Sequence, residues 1–162
     1  MEPRLDVMTN SVALKVVKHL VAADRVTAGA AVPAVTQELL KIRISQINGC
    51  GRCLDMHTKA AAAAGESTVR LNLVAAWREA TLFTPAERAA LELAEQGTRL
   101  GDGRRVTDEA WANAVKHYDI DQLAAIVAQI AILNAFNRLN VILHQPAGDY
   151  QPPRGSASEV PA

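Results

Sequence analysis

Aromatic side chains are scarce in this chain: two Phe, two Tyr and two Trp in 162 residues, against an apolar fraction of 49%. A core with so few rings is mainly Ala, Leu, Val and Ile, a balance that suits closely packed helices better than a sheet. Net charge is missing too, because 17 basic side chains are matched by 17 acidic ones. With no basic run, neither a nucleic-acid footprint nor a polybasic membrane patch is expected. Cysteine is limited to Cys50 and Cys53, too few for a disulfide framework. The N-terminus MEPRLDVMTNS lacks the charged-then-apolar pattern of a signal peptide, so a cytoplasmic protein is expected. The longest apolar run, about 120–143, carries Gln129, Asn134, Asn137 and Arg138, which favour a buried helix of a soluble protein over a membrane span. Strand-like alternation and solenoid-period repeats are both lacking. What remains is an all-α bundle of about seven helices in one domain, residues 1–145, followed by a Pro/Gly/Ser-rich tail, 146–162, expected to be extended or partly disordered.

Along the chain, apolar positions Val12, Val16, Leu20 and Ala23 predict a helix over about 9–24 with that stripe turned inward. Pro33 opens a second helix, 34–47, whose stripe Val35, Glu38, Leu39, Ile42 includes one carboxylate among apolar residues. Asn48-Gly49 reads as a turn and cap before a third helix, 49–64, ending in five alanines that offer a neighbouring helix close approach. Ser67 caps a short helix through Leu73 towards Trp77. Thr84-Pro85-Ala86-Glu87 is a capping box with proline at the first helical position, opening a helix to about Arg99. After the turn Leu100-Gly101-Asp102-Gly103, Thr107 opens a helix to about Lys116, and Asp119 to Gln122 cap the long apolar helix.

The chemistry concentrates between Glu38 and Gly65. A helix advances about 100° per residue, so Cys50, Cys53 and His57 fall within roughly 60° on one face. A C-x-x-C pair at a helix start is a redox device: the positive helix end favours thiolate, and one sulfur can attack while the other resolves the product. The helix end alone favours Cys50 as the more acidic thiol. His57 stands one turn beyond Cys53, where it can take the thiol proton, and Glu38 can orient it. Plainer readings exist for each residue. A lone C-x-x-C arises by chance, a lone His is commonly a satisfied polar group, and Glu38 can pair with Lys41. Zinc on Cys50, Cys53 and His57 would need Glu38 as its fourth ligand, with no second Cys or His pair to help. His19, His117 and His144 lack a partner motif and read as structural or exposed.

The spacing Glu38-x11-Cys50-x2-Cys53-x3-His57 resembles the active-site signature of the AhpD-like alkyl hydroperoxidases, within the carboxymuconolactone decarboxylase superfamily. The words Ser45 to Cys50, His57-Thr58-Lys59-Ala60, Trp77 and Phe83 to Arg88 extend that resemblance over roughly residues 10–145. It implies an AhpD-like helical bundle that assembles as a homo-oligomer, trimer or hexamer. It also implies a cofactor-free, peroxiredoxin-type oxidoreductase that reduces a small hydroperoxide and closes a Cys50–Cys53 disulfide. On the family pattern Cys53 attacks the peroxide, Cys50 condenses with the sulfenic acid, and His57 with Glu38 forms the proton relay. A lipoylated or thioredoxin-like protein would supply the reducing dithiol. Where some members carry a second His before the second cysteine, this chain has Arg52. Two alternatives stand beside this reading: the superfamily's cofactor-free lactone decarboxylation, which needs no cysteine pair, and a non-enzymatic redox-sensing module.

Overall fold

Four of the helix starts read from the sequence, at Ser67, Thr84, Thr107 and Asp119, are closed by the expected side chain, whereas the third helix is capped by Cys50 and not by Asn48. Thr84 Oγ1 accepts from the Glu87 amide while the Glu87 carboxylate takes the Thr84 N–H. Asp119 and Gln122 make the same reciprocal pair, and Ser67 and Thr107 cap singly. Each cap satisfies amides that the first turn leaves without an intrahelical acceptor. The computed structural model describes residues 2–101 and 103–152. Its helices are α1 (Ser11–Ala28), α2 (Ala34–Asn48), α3 (Gly51–Ala63), α4 (Thr68–Leu73), α5 (Pro85–Thr98), α6 (Asp108–Val115) and α7 (Ile120–Ile142), with a 3-10 turn at Val74–Ala76. Among the described residues there is no strand.

α2 is the axis of the bundle, packed against α3, α5 and α7. Leu39, Leu40, Ile42 and Ile44 are fully enclosed, and Lys41 and Arg43 between them are buried. A helix buried all round must satisfy its charges internally. Arg43 does so on Glu95 of α5, whose buried carboxylate also accepts from Arg78 and, at 3.1 Å, from Trp77 Nε1. α7 is long and apolar enough to cross a membrane by length and composition. Its Gln129, Asn134 and Asn137 are nonetheless buried against the other helices, as a core helix requires.

Two expectations about faces fail. α1 turns Val12 and Val16 outward, 69% and 45% exposed, and packs on α7 through the side that carries Ala13, Val17 and Asp24. Only Ala61 of the five alanines at the end of α3 is buried, so most of that run borders solvent or half-buried space. In the α2 stripe Val35 is likewise exposed, while Leu39 and Ile42 are buried.

Both ends of the described chain return to the same region. The Arg4 amide bonds the Leu143 carbonyl at 2.9 Å, and Gln145 Nε2 reaches the Leu5 carbonyl at 3.2 Å. Beyond α7 the chain lies across α3. Asp55 accepts from the Gly148 and Tyr150 amides at 2.7 and 3.1 Å, Lys59 Nζ donates to both of their carbonyls, and Arg52 pairs with Asp149 at 2.6 Å. Lys59 first, then those amides, hold the Asp55 carboxyl down at about 2. The tail is thus extended and fastened over 146–152; the expectation for 153–162 lies outside the described residues.

Candidate active site

α2 runs into α3 through one left-handed residue. Gly49 has φ +65°, and a Cβ there would meet nothing within 4 Å, so glycine answers a backbone requirement and not a space requirement. The sharp turn delivers Cys50 as the N-cap of α3, where its sulfur accepts from the Cys53 amide at 3.4 Å. Cys53 sits one turn inside. The two are free thiols, each 1% exposed, with sulfurs 2.8 Å apart. A disulfide needs about 2.05 Å, so a small closing movement joins them.

His57, the next turn of α3, is buried and sets Nδ1 3.0 Å from Glu38 Oε2. The other Glu38 oxygen takes Lys41 Nζ at 3.1 Å, and Lys41 also faces Asp24 of α1 at 3.8 Å. Burial pushes the Glu38 carboxyl up. The hydrogen bond and charge of His57, with Lys41 behind, outweigh that push and hold it below its ordinary value. An ionised Glu38 can only accept, so it fixes the proton of a neutral His57 on Nδ1 and leaves Nε2 as an acceptor. His57 Nε2 is the one buried side-chain nitrogen or oxygen without a partner among the described residues. His57 lines a cavity of about 380 Å³ together with Cys53, walled by Val17, Val21, Met56, Leu133 and Phe136. A second cavity, about 460 Å³, reaches Cys50 and is bounded by Asn140, His144 and Ala147.

α7 contributes a row that the sequence reading overlooked. Asn134, Asn137 and Asn140 recur every three residues and face the α2–α3 turn. Asn48 Nδ2 donates to Asn134 Oδ1 and to Asn137 Oδ1, each at 2.9 Å, and Asn137 Nδ2 donates to Ser45 Oγ at 3.2 Å. Asn140 Nδ2 donates to Cys53 Sγ at 3.2 Å. The periodic Asn spacing was the available signal; Asn134 and Asn137 had counted only as polar interruptions of an apolar run.

The expectation that Cys50 is the more acidic thiol is reversed. The Cys50 thiol donates to Cys53, which lowers the Cys53 thiol to about 6 against the pull of burial, with the Asn140 and Asn137 amides and His57 helping. The same bond and burial drive Cys50 well above its ordinary value. Being the cap gives Cys50 one long backbone N–H contact, and that contact, with a lesser pull from Asn140, is outweighed by the donors on Cys53. Cys50 meets Cys53, His57 meets Glu38, and Cys53 and His57 line one cavity. Arg52 borders both cavities and pairs with the tail, and His144, expected to be structural or exposed, borders the cavity at Cys50 in a left-handed conformation, φ 54°. Among the described residues no three His, Cys, Asp or Glu side chains are grouped to hold a metal ion.

Residues 15–96 match the carboxymuconolactone decarboxylase family. The chain belongs to that family. It is 38% identical to the uncharacterized protein YdfG of Bacillus subtilis over 120 residues, covering 74% of this chain and 81% of that one. The uncharacterized protein YnjA of Escherichia coli is 32% identical over 113 residues, 70% of this chain and 61% of its own length. Among solved structures, ATU0492 of Agrobacterium tumefaciens superposes with a TM-score of 0.85 at 26% identity, covering 92% of this chain and all of that one. That protein is of unknown function and has been suggested to be the antioxidant defence protein AhpD. The family member fold is AhpD-like and all-helical. The debrominase Bmp8, at 20% identity and a TM-score of 0.67 over 75% of this chain and 64% of its own, shares the fold.

Proposed function

We propose that this family member is a thiol-dependent peroxidase that reduces a small hydroperoxide with the Cys50–Cys53 dithiol. The observation that carries the reading is the pair of free thiols in contact, with a Glu38-oriented His57, its Nε2 unpartnered, lining one cavity together with Cys53. His57 Nε2 takes the Cys53 proton, directly or through a water, and the Cys53 thiolate attacks the outer peroxide oxygen. The S–O bond forms as the O–O bond breaks, and the departing alkoxide takes the proton from His57 to leave as alcohol. Cys53 is now a sulfenic acid. The Cys50 sulfur displaces its hydroxyl as water, closing the disulfide with no net charge left behind. Two electrons have passed from the dithiol to the peroxide. An external dithiol, on a lipoylated or thioredoxin-like protein, returns them by exchange at Cys50 and leaves as its own disulfide. On this reading the chain works as a homo-oligomer in the cytoplasm and needs no cofactor. The AhpD suggestion attached to the Agrobacterium protein supports the same direction.

Titrating the reduced protein with an alkyl hydroperoxide tests this. Two thiols per chain should vanish for each peroxide consumed, and a dithiol should restore them through repeated cycles. Cys53→Ser should abolish turnover. Peroxide that consumes no thiol, or full turnover in the Cys53→Ser protein, would overturn the reading.

A further inference from the structure

Two chemically identical thiols stand 2.8 Å apart at one helix start, and something must decide which carries the charge. The helix end does not, because it favours the cap residue Cys50. Neither cavity decides, because each reaches one sulfur. Asn140 borders both cavities, and its amide nitrogen lies 3.2 Å from Cys53 Sγ. An amide N–H can only donate to sulfur, and such a bond is stronger to a thiolate than to a thiol. The Asn140 amide makes the direct side-chain N–H bond to Cys53, with the Asn137 amide assisting from the same helix. It also leaves the Cys50 S–H with a negative partner towards which to donate.

We propose that Asn140 is a catalytic residue, whose amide binds the Cys53 sulfur as thiolate and so assigns attack to Cys53 and resolution to Cys50. The proposal rests on the dithiol reading above and adds to it the group that breaks the symmetry of the pair. The two asparagines behind it serve as its mount. Asn134 and Asn137 tie α7 to Asn48 and Ser45 next to the Gly49 turn, fixing the helix that carries Asn140 relative to the chain that carries the cysteines. The charged and titratable groups facing Cys53 are Cys50, Arg52 and His57 around the start of α3, Glu38 and Lys41 of α2 beyond His57, and Asp6 and Asp24 from the N-terminal segment and α1. From α7 the first cavity receives no charged side chain, so α7 acts on this sulfur through the Asn140 amide.

The test needs no peroxide, which keeps it separate from the reading it builds on. Reduced protein is alkylated with iodoacetamide across a pH series, and peptide mapping reports which cysteine is labelled. Thiolate is followed in parallel by its ultraviolet absorbance. In the parent protein Cys53 should label first, with a midpoint near pH 6. Asn140→Leu should raise that midpoint by about one unit or more, a fall of about fivefold in thiolate at pH 6, and should erode the preference for Cys53 over Cys50. Asn140→Asp keeps the size but brings an ionised acceptor to the sulfur, and should raise the midpoint further than Leu does. That order, Asn below Leu below Asp, is not what a packing role alone gives. Retention of the parental midpoint and preference in both variants would overturn the assignment. A parent protein that ignores peroxide, while its variants still lose thiolate in that order, would overturn the peroxidase reading and leave Asn140 in its role.

Discussion

Lys41 stands behind the imidazole–carboxylate pair without touching either sulfur. It is buried on α2, where the Glu38 and Asp24 carboxylates both face its ammonium. In return its charge, with that of His57, helps hold the Glu38 carboxyl below its ordinary value against the upward push of burial. A thiolate is the attacking form and exists above its pKa, so peroxide-driven thiol loss should rise with pH through about 6 and then level off. Replacing Lys41 by Met removes the cation and lets burial push Glu38 upward. The acid side of the profile should then steepen and move to higher pH, with the rate near pH 5 falling about threefold or more. A superimposable profile would make Lys41 a packing residue only. At this scale the sequence disclosed Glu38, Cys50, Cys53 and His57, because three lie on one helix face and the fourth interrupts an apolar stripe. Asn140 stayed hidden since it lies 87 residues from Cys53, and the Asn134-Asn137-Asn140 spacing marks a polar helix face without saying what that face meets.

The turn between α2 and α3 governs the site more than either helix does. Gly49 adopts a left-handed conformation with open space around it, so Gly49→Ala tests backbone preference without a clash. The substitution should cost about 1–2 kcal/mol in denaturant unfolding. It should also slow disulfide closure, since Cys50 is the next residue and its cap position follows from this turn. A stability change below about 0.3 kcal/mol would show that the turn tolerates a side chain and that its geometry is set elsewhere. Helix starts were legible because caps are local chemistry, as at Thr84 and Asp119. The inward face of α1 was not. Val12, Ala13, Val16, Val17, Leu20 and Val21 put apolar groups on more than one side, so spacing could not say which side meets α7.

Across the whole bundle, the tie between α2 and α5 depends on one carboxylate. Glu95 receives Arg43, Arg78 and the Trp77 indole, and Arg43 has little water to fall back on. Burial pushes the Glu95 carboxyl up, and Arg78 and Arg43 together pull it below its ordinary value. Its stabilising contribution is thus complete above the ordinary glutamate value of 4.5 and drains away as pH falls through the lower folded value. Glu95→Leu leaves Arg43 buried and unpaired, and should cost about 3–5 kcal/mol, lowering Tm by about 10 °C. A loss under about 1 kcal/mol, read by thermal and urea melts, would mean the network is replaceable by apolar packing. Pairings of this kind were invisible in the sequence, since Arg43 and Glu95 are 52 residues apart and each alone reads as a surface charge.

The terminal segments carry a practical consequence for anyone handling this protein. Asp6, Val7 and Met8 form part of the wall beside Cys53, and Gln145 to Ala147 form part of the wall beside Cys50. A substitution or cross-link placed in 6–8 or 145–147 is therefore a change to the doorway of one sulfur or the other, and thiol kinetics from such a variant describe that wall as much as the thiols.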